Sequence, residues 1–168
     1  MPCACKLPIE DYPDALEWGP ILWKLLHGIA ERAGRPVVPA YQEDERRNWI
    51  HFLKQTGEII PCNTCKEHYQ TYLRENPSDP LKNMHPSEFH EWVRHWFWEI
   101  HEWVNGSQEK PSFPYESLAA TYASVDFRRT LRQLDIPMMK AIRISGINLR
   151  KYTEWKSRYL MMLSVFGL

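Results

Sequence analysis

Asp14-Ala15-Leu16-Glu17-Trp18-Gly19-Pro20-Ile21-Leu22-Trp23-Lys24-Leu25-Leu26-His27-Gly28-Ile29-Ala30 is the stretch that decides the fold. Asp14 suits a helix N-cap, because its carboxylate can accept from the free N–H groups of the first turn. Trp18, Ile21, Leu22, Leu25 and Ile29 then recur at helical spacing and form one apolar face. Trp23, Leu26, His27 and Ala30 form a second, so the helix is apolar nearly all round and must be covered on both sides by chain or by a ligand. Trp23 and His27, four apart, are neighbours on that second face.

Outward from this helix the chain stays helical. Gly34 to Ala40, with Pro36 and Pro39, reads as a loop, and a second helix is predicted from Gln42 to Gln55 with Gly57 as its terminator. Pro77 to Pro86 reads as another loop, and Ser87 as the cap of the strongest helix, in which Phe89, Trp92, Val93, Trp96, Phe97, Ile100 and Val104 make an unbroken stripe ending at Gly106. His101 adjoins that stripe, while His90 and His95 fall on other faces and read as solvated. A shorter segment runs from Tyr115 to Val125. No strand–helix alternation or Gly-rich turn is visible, which argues against thioredoxin-like and dinucleotide-binding folds. The expected architecture is all-α: a four-helix bundle with a short fifth helix over residues 14–125, preceded by an arm over 1–13 and followed by a helical extension over 126–168.

The chemistry sits in Ile60-Pro61-Cys62-Asn63-Thr64-Cys65, read as a dithiol in the first turn of a helix that stops before Pro77. The partial positive charge of a helix N-terminus favours thiolate, and two cysteines three apart can close a tight disulfide. The other two cysteines, Cys3 and Cys5, lie in the arm. Two close pairs suit dithiol exchange or a single four-cysteine zinc site rather than a disulfide-dense scaffold.

The formal charge of this 168-residue chain is zero but unevenly placed: residues 126–168 carry nine Lys and Arg against three acidic residues. A basic extension suits nucleic acid, an acidic protein surface or the chain's own body, and the sequence leaves these three unranked. Pro137 and Gly146 divide it into helices predicted at Phe127 to Leu134 and Arg150 to Phe166. No apolar run is long enough to span a bilayer, and neither a secretory signal nor an Arg-rich transit peptide is visible at the start.

Three blocks, Trp18-Gly19-Pro20-Ile21-Leu22-Trp23-Lys24-Leu25-Leu26-His27, then Ile60 to Cys65, then His101-Glu102-Trp103-Val104-Asn105 followed by Lys110-Pro111-Ser112-Phe113, resemble in order and spacing the Erv/ALR flavin-linked sulfhydryl oxidases, in particular the short forms of large DNA viruses. The resemblance covers roughly residues 15 to 125. It implies a bundle that holds FAD and usually dimerises, with Trp18, Trp23, His27, His101, Val104, Asn105, Lys110 and Phe113 around the cofactor and no metal. It implies that Cys62 exchanges with a protein dithiol substrate, that Cys65 is the flavin-proximal sulfur, and that electrons pass to O2 as hydrogen peroxide. Cys3 and Cys5 resemble a shuttle dithiol serving Cys62 of the same chain or of a partner subunit. The viral likeness implies host cytoplasm and virion, with residues 126–168 attached to a virion partner or docked on the body; cellular relatives imply the mitochondrial intermembrane space. Two positions depart from the family pattern: Glu102 stands where Asn is usual, and Trp98 where a structural cysteine often sits. Two other classes stand beside it: a structural component that keeps the fold without turnover, and a zinc protein with Cys3, Cys5, Cys62 and Cys65 as one four-thiolate site.

Overall fold

The computed structural model describes residues 12–168, so Cys3 and Cys5 lie outside the described residues. Seven α-helices and no strand run through them: α1 Ala15–Ala30, α2 Gln42–Ile59, α3 Asn63–Glu75, α4 Pro86–Ser107, α5 Leu118–Tyr122, α6 Phe127–Arg143 and α7 Leu149–Val165. The all-α expectation holds.

Asp14 caps α1, accepting from the N–H groups of Leu16 and Glu17, while the Glu17 carboxylate reaches back to the Asp14 N–H. This reciprocal box fixes where the helix begins. Gly34, at φ 75°, turns the chain out beyond α1 in a left-handed conformation that glycine adopts without strain. Its N–H donates to the buried Glu45 carboxylate (2.6 Å), which also accepts from Trp49 Nε1 (3.1 Å) and so locks the start of α2 to the end of α1.

The two apolar faces of α1 find separate covers. α1 packs on α4, α5 and α6, and α2 packs on α3 and α7. Leu131, Leu134, Met138, Trp155, Tyr159 and Met162 belong to the same core cluster as Leu25, Phe52 and Phe97. Residues 126–168 therefore share one core with the bundle. Trp155 and Tyr159 are fully buried; Trp155 Nε1 donates to Thr56 Oγ1 (3.0 Å) and Tyr159 Oη to the Leu25 carbonyl (2.8 Å). Arg158 adds bonds to Gln55 (2.7 Å) and Asn48 (2.7 Å) of α2.

Several expected boundaries move. Gly57 lies inside α2, which continues to Ile59; an added Cβ there would stand 2.8 Å from Tyr69 Cδ1, so glycine serves close approach of α3 and not termination. α3 begins at Asn63 with Cys62 as its N-cap, which leaves Pro61 before the helix and not in its first turn. His85 caps α4 and Pro86 takes the first helical position, displacing the predicted Ser87 cap. The helix runs one residue past Gly106, and a 3₁₀ turn at Asp79–Lys82 interrupts the loop before it. Pro137 sits within α6: a proline costs about 3 kcal/mol in a helix interior, and burial of Leu134, Met138 and Ala141 along the same helix offsets it. His90 is half-buried with Nδ1 3.0 Å from the Ala33 carbonyl, against its expected solvated role; His95 is exposed.

Replacing Trp155 with Ala removes a fully buried indole and its bond to Thr56, and should cost about 3–5 kcal/mol in urea unfolding. A loss below about 1 kcal/mol would show that α7 is not core.

Candidate functional site

A cavity of about 320 Å³ opens between α1, the end of α2, the start of α3 and the last turns of α4. Such a volume lies within the range of small-molecule sites. Both faces of α1 contribute to one wall, Trp18 and Leu22 from the first and Trp23 and Leu26 from the second; Cys65 supplies another. Val104 and Asn105 close the α4 side, and Lys110, exposed, stands at the margin.

Helical spacing explains this convergence. Trp23 projects from α1 toward α4 and lies flat against His101, with centroids 4.0 Å apart and planes 7° from parallel. Beneath them His27 Nε2 is 2.8 Å from His101 Nδ1, and Tyr122 of α5 stacks on the His27 ring at 4.8 Å. His27 is only 2% exposed and does not line the cavity; it holds His101 in place from behind. Burial, reinforced by His101, pushes the His27 pKa down to about 3. Burial likewise lowers His101 to about 4, with Lys110 acting in the same direction and Glu102 opposing. Both rings are thus neutral near pH 7, and one N–H between two imidazoles satisfies both nitrogens.

Cys62 and Cys65 form a disulfide with Cα atoms 5.2 Å apart. Both are half-buried, but only Cys65 lines the cavity. The Cys62 sulfur accepts from the Cys65 N–H at 3.1 Å, at the positive end of α3. One sulfur therefore faces the cavity while its partner caps the helix.

Glu102 is turned to a structural task. Its carboxylate accepts from the Phe113 N–H (2.9 Å), from Ser112 Oγ and from Asn105 Nδ2 (3.3 Å). These bonds, together with His101, hold its pKa below the usual range against the opposing effect of burial. Trp98 Nε1 donates to the Phe113 carbonyl (2.8 Å), so both departures from the resembled pattern pin the same turn. Phe113 is not part of the cavity wall; its ring lies 6.1 Å from Tyr122.

The structure thus gathers Trp18, Trp23, His101, Val104, Asn105, Lys110 and Cys65 around one cavity, with His27 behind and Phe113 beside it. Thr56, Tyr69 and Tyr122 join them without a sequence signal that singled them out. Thr56 had a helical-face position but no motif; Tyr122 sits in a helix of five residues, too short for periodicity. Among the described residues, no three His, Cys, Asp or Glu side chains gather as a metal centre.

Residues 20–123 match the Erv1 / Alr family model. The chain belongs to the Erv1/Alr family. Among curated proteins it is similar to the mitochondrial FAD-linked sulfhydryl oxidase ERV1 of Saccharomyces cerevisiae, 33% identical over 103 residues that cover 61% of this chain and 49% of that protein. It is also similar to the FAD-linked sulfhydryl oxidase ERV1 of Oryza sativa (32%; 66% and 51% covered) and of Arabidopsis thaliana (27%; 72% and 60% covered). The chain spans about half to three fifths of the length of these Erv1/Alr relatives. No solved structure matches it significantly.

Because the folded His27 and His101 resist protonation that the unfolded chain accepts at about pH 6.5, their contribution is complete above pH 6.5 and is lost as pH falls toward 4 and below. Unfolding free energy should fall over that window, by up to about 1.4 kcal/mol per pH unit for His27. The His27→Gln chain should show a measurably flatter slope; equal slopes would mean that His27 is not held neutral.

Proposed function

We propose that this chain is an FAD-dependent thiol oxidase that forms disulfides in protein dithiols. The observation that carries the reading is a disulfide with one sulfur, Cys65, in the wall of a mostly apolar cavity that also holds the stacked rings of Trp23 and His101.

The residues fit the group. Trp18, 6% exposed, lines the cavity, and its Nε1 has no hydrogen-bond partner among the described residues. An unpaired buried donor costs about 1–3 kcal/mol, so a bound molecule with an acceptor there would recover it. Trp23 and His101 offer a stacking surface and Asn105 a polar edge, and Lys110 supplies a positive charge for a phosphate. Glu102, held by Ser112 and Phe113, is already neutralised by donors and does not oppose a phosphate as a bare carboxylate would. Held there by Trp18, Trp23, His101, Asn105 and Lys110, FAD would supply a two-electron acceptor for the dithiol and a route for those electrons to O2 as hydrogen peroxide.

The protein's own part is thiol exchange. A substrate thiolate attacks Cys62, the Cys62–Cys65 bond breaks, and Cys65 leaves as thiolate at the α3 N-terminus, where the helix favours negative charge. A second substrate thiol resolves the mixed disulfide, giving the substrate disulfide and the reduced pair. His27 and His101, neutral and mutually bonded, hold the Trp23 face in register.

A homodimer, the shuttle role of Cys3 and Cys5, and a virion partner for residues 126–168 belong to the same proposal. The outer side of α6 exposes Arg128, Arg129 and Arg132 beside Ile136 and Met139, with Ile144 just past its end, a basic and apolar strip open to a protein partner. For location, the name of the yeast relative supports mitochondria. No helix among the described residues is long and apolar enough to cross a membrane.

The Cys65→Ser chain should keep bound flavin while dithiol-dependent oxygen consumption drops at least about a hundredfold. Retained turnover would overturn the assignment of Cys65.

A further inference from the structure

Helical spacing puts a second stripe on α3 and α4 that the core does not use up. Cys65, His68, Tyr72 and Glu75 recur three and four residues apart on α3, so they share a face that begins at the disulfide. On α4 the corresponding series is Glu88, Trp92, Trp96, Glu99 and Trp103. The rings of the two series meet in a row. His68 lies edge-on to Trp103 (5.2 Å), Tyr72 stacks on Trp103 (6.5 Å) and meets Trp96 edge-on (5.2 Å). Trp103 is 45% exposed, so this row is open to solvent beside the disulfide helix.

The row ends in an open cleft of about 620 Å³, lined by Trp92 and Trp96 and by the carboxylates of Glu75, Glu88, Glu91 and Glu99. Arg94 pairs with Glu91, and Glu99 accepts from Tyr72 Oη (2.9 Å) with His95 3.5 Å away. Among the described residues, Glu75 and Glu88 have no ion-pair partner. None of the residues lining this cleft lines the cavity at Cys65.

We propose that the α3–α4 groove holds the substrate polypeptide beside its dithiol and selects an extended segment with Lys or Arg at the acidic end. The proposal rests on the oxidase reading and names what a substrate presents beyond two thiols. Continuity favours this occupant: the aromatic row starts one helical turn from Cys65, so a chain exchanging at Cys62 is already at its mouth. Length agrees. Cys62 and Glu75 are thirteen residues apart, about 20 Å along α3, which about six extended residues cover. Charge supplies the selection, because the carboxylates of Glu75 and Glu88 lack cations and a cation beside Trp92 gains attraction from the ring. The aliphatic stems of Lys and Arg lie well on aromatic surface. The same carboxylates repel phosphate, which sets nucleic acid aside.

The test uses the full chain and synthetic peptides. A reduced dithiol peptide with an Arg-Lys-Arg block about six residues from its nearer cysteine, on either side, is compared with the same peptide bearing Glu-Glu-Glu. The basic peptide should show a KM about fivefold to thirtyfold lower, with kcat within about twofold, since the block acts away from the sulfurs. Moving the block next to the cysteine should remove most of the gain, as should high salt. In the chain carrying Glu75→Lys and Glu88→Lys, the preference should vanish or reverse when each rate is taken relative to dithiothreitol turnover by the same chain. Equal KM values for the two peptides would overturn the proposal, as would a preference that the double variant retains.

A fluorescent, cysteine-free copy of the basic peptide separates this idea from the oxidase reading, because its binding needs neither flavin nor turnover. Its anisotropy should report binding that the double variant weakens at least about fivefold. Absent dithiothreitol turnover in the unaltered chain would defeat the oxidase reading, and the anisotropy would still decide whether the groove takes a basic segment. Self-association, seen in sedimentation and abolished by the same double variant, would assign the groove to the basic α6 strip of a second copy and overturn the proposal.

Discussion

Everything in this molecule follows from the need to cover α1 on both of its apolar faces. Leu25 and Ile29 are wholly buried by packing with the other helices, and the opposite face, with Trp23 and Leu26, is closed by α4 and by a cavity that Trp18 also borders. Burying a large apolar side chain stabilises by about 1.5–3 kcal/mol, so an α1 left bare on either side would forfeit much of a domain's marginal stability. Residues 126–168 meet that requirement on one side. A flat cofactor would meet it on the other.

The same arrangement organises the electrostatics. The buried His27 and the half-buried His101 are joined by one N–H···N hydrogen bond of 2.8 Å and stay neutral near pH 7, so the aromatic wall carries no charge. The carboxylate of Glu102 is consumed by the turn at Ser112 and Phe113, and Lys110 is left as the cation beside the cavity. At the α3 terminus the sulfur of Cys62 caps a helix end that would favour Cys65 as the leaving thiolate. Position on a helix, more than any single strong interaction, sets the chemistry available to each group.

How much of this could be read from the chain depended on how local the cause was. The helix at Trp18 to His27 and the stripe from Phe89 to Ile100 are legible because periodicity and burial coincide in them. The grouping of Cys65, Trp23, His101 and Asn105 came from three motifs in order, and the cavity collects all four. Pro137 and Gly57 misled for one reason: each has a local meaning, helix breaker or terminator, that a tertiary contact overrides, in one case the packing of α6 and in the other the Tyr69 ring. The sites of Thr56 and Tyr122, and the Trp155 bond behind Thr56, depend on pairings across up to 99 positions, which no window of sequence displays.

The most direct test of the central claim is the visible absorption spectrum of the purified full chain, recorded before and after a dithiol is added in air. The account predicts a yellow protein whose flavin band bleaches on addition and returns as oxygen is drawn down. A colourless chain that folds cooperatively, takes up no added FAD and consumes no oxygen would contradict it.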